Sequence, residues 1–260
     1  MIAVYDSGIG GTSVLKAIRE LDSNVDIIYL ADQARCPYGD RPVDEIHQIA
    51  LGCANWLIHQ GATLIVVACN TASAAALHDM RQLHPTTPFV GMVPAVKPAV
   101  QQTQRGVVGV MATAATLKGA LYHEVTQRFA HDIQVIGRAC HGLVDLVEAG
   151  QLHGVDTDAA VAAHVAPLIA AGADVLVLGC THYPFLRDSI SRAAPHVHII
   201  DPAPAVARHT LNVTAVIPQQ MELGRTIYYT TGSASHLAWQ INALGLPSGE
   251  TFSVAVEELI

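Results

Sequence analysis

Two cysteines stand at matching places in the chain. Cys69 closes the run Leu64-Ile65-Val66-Val67-Ala68 and is followed by Asn70, Thr71 and Ser73; Cys180 closes Val175-Leu176-Val177-Leu178-Gly179 and is followed by Thr181 and His182. A thiol is a proton donor, its thiolate a base or nucleophile, and a nearby charge or hydrogen-bond donor tunes the balance between them. Apolar runs without polar alternation suit strands buried on both faces, as in a parallel sheet covered by helices. Ligands collect at the carboxyl ends of such strands, next to the free N–H groups that open the following helix. A single cysteine there would be read as a small core hydrophobe. Two at equivalent strand ends, each followed by polar residues where apolar ones would have continued the core, read as a site.

If the two strand ends face each other across a crevice, one thiolate takes a proton from a weakly acidic C–H while the opposite thiol supplies one. Each sulfur then approaches the same carbon within about 3.5 Å, which sets the sulfurs roughly 7 Å apart, well beyond disulfide length. Inversion at that carbon follows. Asp6, at the end of the first apolar run, and His182 are placed to adjust Cys69 and Cys180 respectively, although an acid at a strand end is equally often a helix cap. A cysteine hydrolase with Cys180 as nucleophile and His182 as base is the rival chemistry; it leaves Cys69 without a task.

The elements that must position these residues repeat. Ile2 to Tyr5 reads as a strand, broken by Asp6-Ser7-Gly8-Ile9-Gly10-Gly11-Thr12 before a helix from Ser13 to Leu21. Val107 to Met111 starts the same grammar again, with Thr113 upstream of Cys180 much as Asp6 is upstream of Cys69. This points to an α/β protein of two pseudo-symmetric domains, each a mostly parallel sheet flanked by helices, with the site in the crevice between them. The first domain is expected to take 1–92 with 202–260, and the second 93–201. Further strands are read at Val25 to Leu30, Pro88 to Met92, Ile133 to Ile136, His198 to Asp201, Thr226 to Thr230 and Phe252 to Val256. Helices are read at Val43 to Gln60, Thr71 to Leu83, Gly142 to Ala149 (with Glu148), Asp156 to Ala171 and Ser233 to Leu244. Asp32 to Pro42, with two prolines and a glycine around Tyr38, reads as a rigid rim loop, and Pro202-Ala203-Pro204 as the return crossing.

Composition narrows the function classes. With 22 acidic against 14 basic residues, a formal charge of −8 and no basic cluster, direct nucleic-acid binding lacks its electrostatic footprint. The five cysteines form no CxxC pair, and neither a signal peptide nor an apolar run of membrane-spanning length is visible, so a reducing cytoplasm without membrane attachment is expected. Fourteen histidines raise metal binding. His196 and His198 would share one strand face, yet no HExxH or paired CxxC completes a ligand set, and no metal centre is expected. Cys36, Cys53 and Cys140 fall outside the repeated strand-end frame and are assigned to packing.

Taken together, Asp6-Ser7-Gly8-Ile9-Gly10-Gly11, Arg35-Cys36-Pro37-Tyr38-Gly39, Cys69-Asn70-Thr71-Ala72-Ser73 and Gly179-Cys180-Thr181-His182-Tyr183-Pro184 resemble, in that order and over essentially the whole chain, the bacterial glutamate racemases. The resemblance implies a cofactor-independent isomerase that interconverts L- and D-glutamate for peptidoglycan synthesis, working as a cytoplasmic homodimer. It implies that Cys69 removes the α-proton of D-glutamate and Cys180 that of L-glutamate, assisted by Asp6 and His182, with Glu148 as a possible auxiliary. Ser7, Tyr38, Gly39, Asn70, Thr71, Thr113, Thr116 and Thr181 match substrate-contacting positions. Hydroxyls, amides and helix N-termini would then hold both carboxylates without an arginine clamp. Aspartate-specific relatives resemble this pattern with glutamate where His182 stands, which favours glutamate as substrate. Met111 to Thr116 carries alanines where the family commonly has glycines, His141 stands where proline is usual, and Tyr5 replaces a common phenylalanine. Only five residues precede Asp6, so activation by a peptidoglycan nucleotide precursor, associated with relatives that carry an extra N-terminal segment, is not expected.

Overall fold

Every residue of β1 (Ile2–Asp6), β2 (Ile27–Ala31) and β3 (Leu64–Val67) is buried in the computed structural model, which describes residues 1–214 and 223–259. Alternation explains how one strand can be apolar throughout. Ile2 and Val4 pack with Val14, Leu15 and Ile18 of α1 (Thr12–Leu21) on one face. Ala3 and Tyr5 pack on the other with Ile46, Ile49 and Cys53 of α2 (Val43–His59) and Ala72 and Ala76 of α3 (Asn70–Leu83). β4 (Phe89–Gly91) adds to β3.

A second sheet follows. After α4 (Val96–Gln102) come β5 (Val107–Ala112), α5 (Ala114–Lys118), α6 (Ala120–Phe129), β6 (Gln134–Ala139), α7 (Leu143–Glu148), α8 (Val155–Ala170), β7 (Val175–Gly179), α9 (Arg187–Ala193) and β8 (His198–Ile200). α8 shows the helical period that marks it in the sequence, burying Thr157, Val161, Val165 and Leu168. The chain then returns through α10 (Ala203–Thr214), β9 (Thr226–Thr230), α11 (Ala234–Ala243) and β10 (Glu250–Ser253) to the first sheet.

The strand orders are β10-β9-β2-β1-β3-β4 and β6-β5-β7-β8, and every pairing is parallel. The four strands β2-β1-β3-β4 repeat as β6-β5-β7-β8, so the recurrence seen in the sequence is also one of topology. In each sheet the chain leaves the central strand to one side and comes back on the other. This opens a switch-point crevice at the carboxyl ends of β1 and β3, and of β5 and β7.

Three helices, α4, α9 and α10, are absent from the sequence reading. α10 begins where a return crossing is expected. Asp201 Oδ1 accepts from Ala203 N at 2.9 Å, capping the helix at the Asp-Pro pair. Its buried positions are Ala203, Ala207, Thr210 and Thr214, too small and polar for a hydrophobic stripe. It packs along α1. His196 lies in a turn ahead of β8, so it does not share a strand with His198.

Candidate active site

Cys69 is the N-cap of α3, in extended conformation, and its sulfur accepts from Ala72 N at 3.4 Å. A small-residue first turn, Asn70-Thr71-Ala72-Ser73, lets that helix start against the sheet. Ser73 Oγ donates to Val67 O at 2.9 Å and accepts from Met92 N at 3.0 Å, tying β3 to α3 and to the residue after β4. The Cys69 thiol also donates toward Ser7 Oγ at 3.8 Å. Burial and the nearby Asp6 carboxylate push this thiol up to about 12.

Cys180 is differently supported. The residues after it form a 3-10 turn, Tyr183–Leu186, and the α-helix begins only at Arg187, so no helix N-terminus abuts this sulfur as the sequence reading expected. In its place His182 Nδ1 lies 3.7 Å from Cys180 Sγ, and His182 Nε2 lies 2.7 Å from Glu148 Oε1. The second oxygen of Glu148 accepts from Gln33 Nε2 at 2.8 Å and Gln240 Nε2 at 3.3 Å, and Oε1 also accepts from Ile9 N at 2.7 Å. Burial opposes charge on the His182 ring, but bonds to Cys180, Cys36 and Glu148 outweigh it and hold the imidazole well above its usual range. Burial likewise raises Glu148, and its His182 bond overrides this to bring the carboxyl down to about 2. The result is a Cys–His–carboxylate line whose acid is anchored by backbone and amides of the first sheet's own elements.

Asp6 does not bond Cys69. Its Oδ1 accepts from Thr181 Oγ1 at 3.0 Å and its Oδ2 from Gly8 N at 3.1 Å, so it ties the first turn to the Cys180 loop. Burial raises its pKa, while the charge of His182 pulls the other way. The glycines of this turn admit side chains from the second sheet. A Cβ on Gly8 would fall 1.9 Å from Glu148 Oε1, and one on Gly10 would fall 2.3 Å from His182 Nδ1. Thr71 bridges in the same way, its hydroxyl 2.9 Å from Thr113 Oγ1 and 3.2 Å from Thr116 Oγ1.

One crevice, with about 290 Å³ of unfilled space counting that open to solvent, is lined by Ser7, Tyr38, Gly39, Cys69, Asn70, Thr71, Thr113, Cys180, Thr181 and His182, together with Pro37, Val144 and Gly179. Both sulfurs border it, at 5% and 7% exposure. No arginine or lysine is among these described lining residues. Asn70 is 3% exposed, and neither its Oδ1 nor its Nδ2 has a hydrogen-bond partner, a costly state that a polar ligand would relieve. Thr116 stands behind Thr113 and Thr71 rather than on the wall. The Tyr38 hydroxyl is turned away to Asp32 and, at 2.8 Å, Tyr5, leaving its ring to the crevice. Residues the sequence reading passed over include Gln33 and Gln240, whose amides mark them only once Glu148 is in place, and Cys36. Cys36, assigned to packing, does pack against the core, and its sulfur also lies within 4.8 Å of a His182 ring nitrogen and a Glu148 carboxylate oxygen.

Two parallel α/β halves facing each other with a thiol at each switch point define a two-domain isomerase architecture. Residues 12–210 match the Asp/Glu/hydantoin racemase family. The chain is 50% identical over 255 residues to a glutamate racemase of Roseiflexus sp. (strain RS-1), covering 95% of this chain and 92% of that one. It superposes with TM-score 0.87 and 26% identity on glutamate racemase from Francisella tularensis in complex with D-glutamate, covering 98% and 97% of the two chains. A TM-score of 0.85 at 30% identity, over 97% and 98%, relates it to the Escherichia coli enzyme in complex with L-glutamate and the activator UDP-MurNAc-ala. The chain belongs to the Asp/Glu/hydantoin racemase family, within its glutamate racemases, and is an amino-acid racemase, an isomerase.

Proposed function

We propose that this chain racemises glutamate by two-base proton transfer between Cys69 and Cys180, supplying D-glutamate for peptidoglycan synthesis in the cytoplasm as a homodimer. The observation that carries the reading is the placement of one thiol at the switch point of each sheet on a single crevice. Glutamate as substrate is supported by the relatives, two of which hold D- or L-glutamate. The domain division that fits is 1–92 with 202–260, and 93–201, because the two sheets draw their strands from those stretches.

In the L to D direction Cys180, as thiolate, takes the α-proton, and the Cys69 thiol donates its own to the opposite face. The enzyme is left with the protonation of its sulfurs exchanged, ready for the reverse reaction. Asp6 and His182 assist as positioning groups, with Glu148 behind the imidazole. His182 Nδ1 stands 3.7 Å from Cys180 Sγ, within reach of the sulfur that exchanges the proton, and the high pKa of Cys69 suits a proton donor. Asn70, Ser7, Thr71, Thr113 and Thr181, with the α3 N-terminus and the Gly39 backbone, offer donors to two carboxylates without a basic side chain; Thr116 supports Thr113 and Thr71.

The test is incubation of purified protein with each enantiomer, followed by chiral chromatography. Both should converge on an equal mixture, and activity should survive exhaustive EDTA treatment. Loss on chelation with recovery on adding metal would exclude the two-thiol scheme as written. Failure to act on either enantiomer would remove glutamate as the substrate.

A further inference from the structure

Behind the reacting face, three donors converge from widely separated parts of the chain. The Cys36 sulfur, a Glu148 carboxylate oxygen and a His182 ring nitrogen all lie within 4.8 Å of one another. Cys36 comes from the rim loop after β2, Glu148 from the last residue of α7 and His182 from the loop after β7. One sulfur, one imidazole and one carboxylate make a soft, mixed donor set of the kind that zinc and related cations take, with a fourth position left for water or another group. Metal–ligand lengths of about 2.0–2.3 Å are compatible with donors at this spacing once the proton shared by His182 and Glu148, now 2.7 Å apart, is replaced by the cation and the pair opens by a few tenths of an ångström. The gathering is also braced. Gln33, Gln240 and Ile9 N fix Glu148, which holds that carboxylate aimed at the ring as an outer hydrogen-bonding shell does in metal sites.

We propose that Cys36, Glu148 and His182 form a binding site for a soft divalent cation such as Zn²⁺, and that its occupation inhibits the enzyme. The reason for inhibition is chemical. A cation held by His182 and Glu148 replaces the 2.7 Å hydrogen bond between them and so moves the ring off its 3.7 Å contact with Cys180. The Cys36 thiol and the His182–Glu148 hydrogen bond each release one proton to solvent on binding, and no bond of the substrate is involved. The inhibitory consequence rests on the two-thiol reading; the binding itself does not. The site is separate from any requirement for metal, since the cation opposes the proton transfer instead of carrying it.

Binding and activity are therefore measured apart. Metal-free protein is titrated with Co²⁺ as a spectroscopic probe, reading the sulfur-to-metal charge-transfer band, and with Zn²⁺ by equilibrium dialysis. One equivalent should bind with the band present in the parent and in Cys180→Ala. In Cys36→Val and Cys36→Ser the band should vanish and Zn²⁺ affinity fall at least about tenfold. In parallel, Zn²⁺ should inhibit glutamate racemisation by the parent, EDTA should reverse it, and the concentration for half-inhibition should rise about tenfold or more in Cys36→Val relative to that variant's own uninhibited rate. Circular dichroism reports folding of each variant, and the two Cys36 replacements guard against one of them misfolding. Retention of the band in both, or its loss in Cys180→Ala, would place the cation on the other thiol and overturn the assignment. Binding as described with no inhibition would refute the inhibitory role while keeping the site.

Discussion

Glu148 and His182 set up the asymmetry of the site. One thiol leans on a helix N-terminus and the other on an imidazole, and Glu148 keeps that imidazole charged. For stability the signs are opposite for the two partners. Glu148, lowered from 4.5 to about 2, contributes fully above about pH 4.5 and loses its contribution as pH falls toward 2. His182, raised above 6.5, contributes fully below 6.5 and loses its contribution as pH rises through its folded value. The pair therefore stabilises most between the two unfolded values. Glu148→Gln should lose most of the acid-side decline and begin its alkaline decline at lower pH, seen in melting temperatures taken from about pH 3 to pH 8. An unchanged profile would show that the carboxylate does not charge the ring. Asn70 offers a second test at this scale. With its amide unpaired in the free protein, Asn70→Ala should raise KM for glutamate about tenfold or more while costing little stability, because no internal bond is lost. A large fall in melting temperature with KM unchanged would mean that the amide serves the fold.

Among elements, the glycine-rich turn after β1 has its reason in the second sheet. Gly10→Ala would set a methyl carbon 2.3 Å from the His182 ring, so it should destabilise the protein by about 1–3 kcal/mol and depress kcat through a displaced imidazole. Chemical denaturation and steady-state rates check both; a variant with parental stability and kcat would show that the turn moves aside freely. The turn's role is not legible from residues 6–12 alone, since the groups that most crowd Gly8 and Gly10 come from residues 148 and 182. The strands that carry the thiols were legible, because unalternating Val, Ile and Leu runs that stop at Cys69 and Cys180 leave little other reading. α10 was hidden for the opposite reason. Its buried face, Ala203, Ala207, Thr210 and Thr214, has helical spacing but no hydrophobic contrast to mark it. The 3-10 turn after Cys180 escaped because Pro184 delays the helix without announcing where it starts.

For the whole molecule, the repeated half with strand order β2-β1-β3-β4 and β6-β5-β7-β8 turns a duplicated sequence pattern into two opposed walls. What spacing along the chain cannot show is which side chains cross between them: Asp6 to Thr181, Glu148 to Ile9, Thr71 to Thr113. These contacts hold the thiols across one crevice. The central claim is that each thiol serves one face of the same carbon, and the most direct measurement is proton NMR of the α-hydrogen in deuterated buffer with Cys69→Ala and Cys180→Ala. Racemisation should collapse in both. Cys180→Ala should retain slow exchange of D-glutamate without inversion, and Cys69→Ala the same for L-glutamate. Exchange of the same enantiomer by both variants, or racemisation by either at near the parental rate, would contradict the two-wall arrangement.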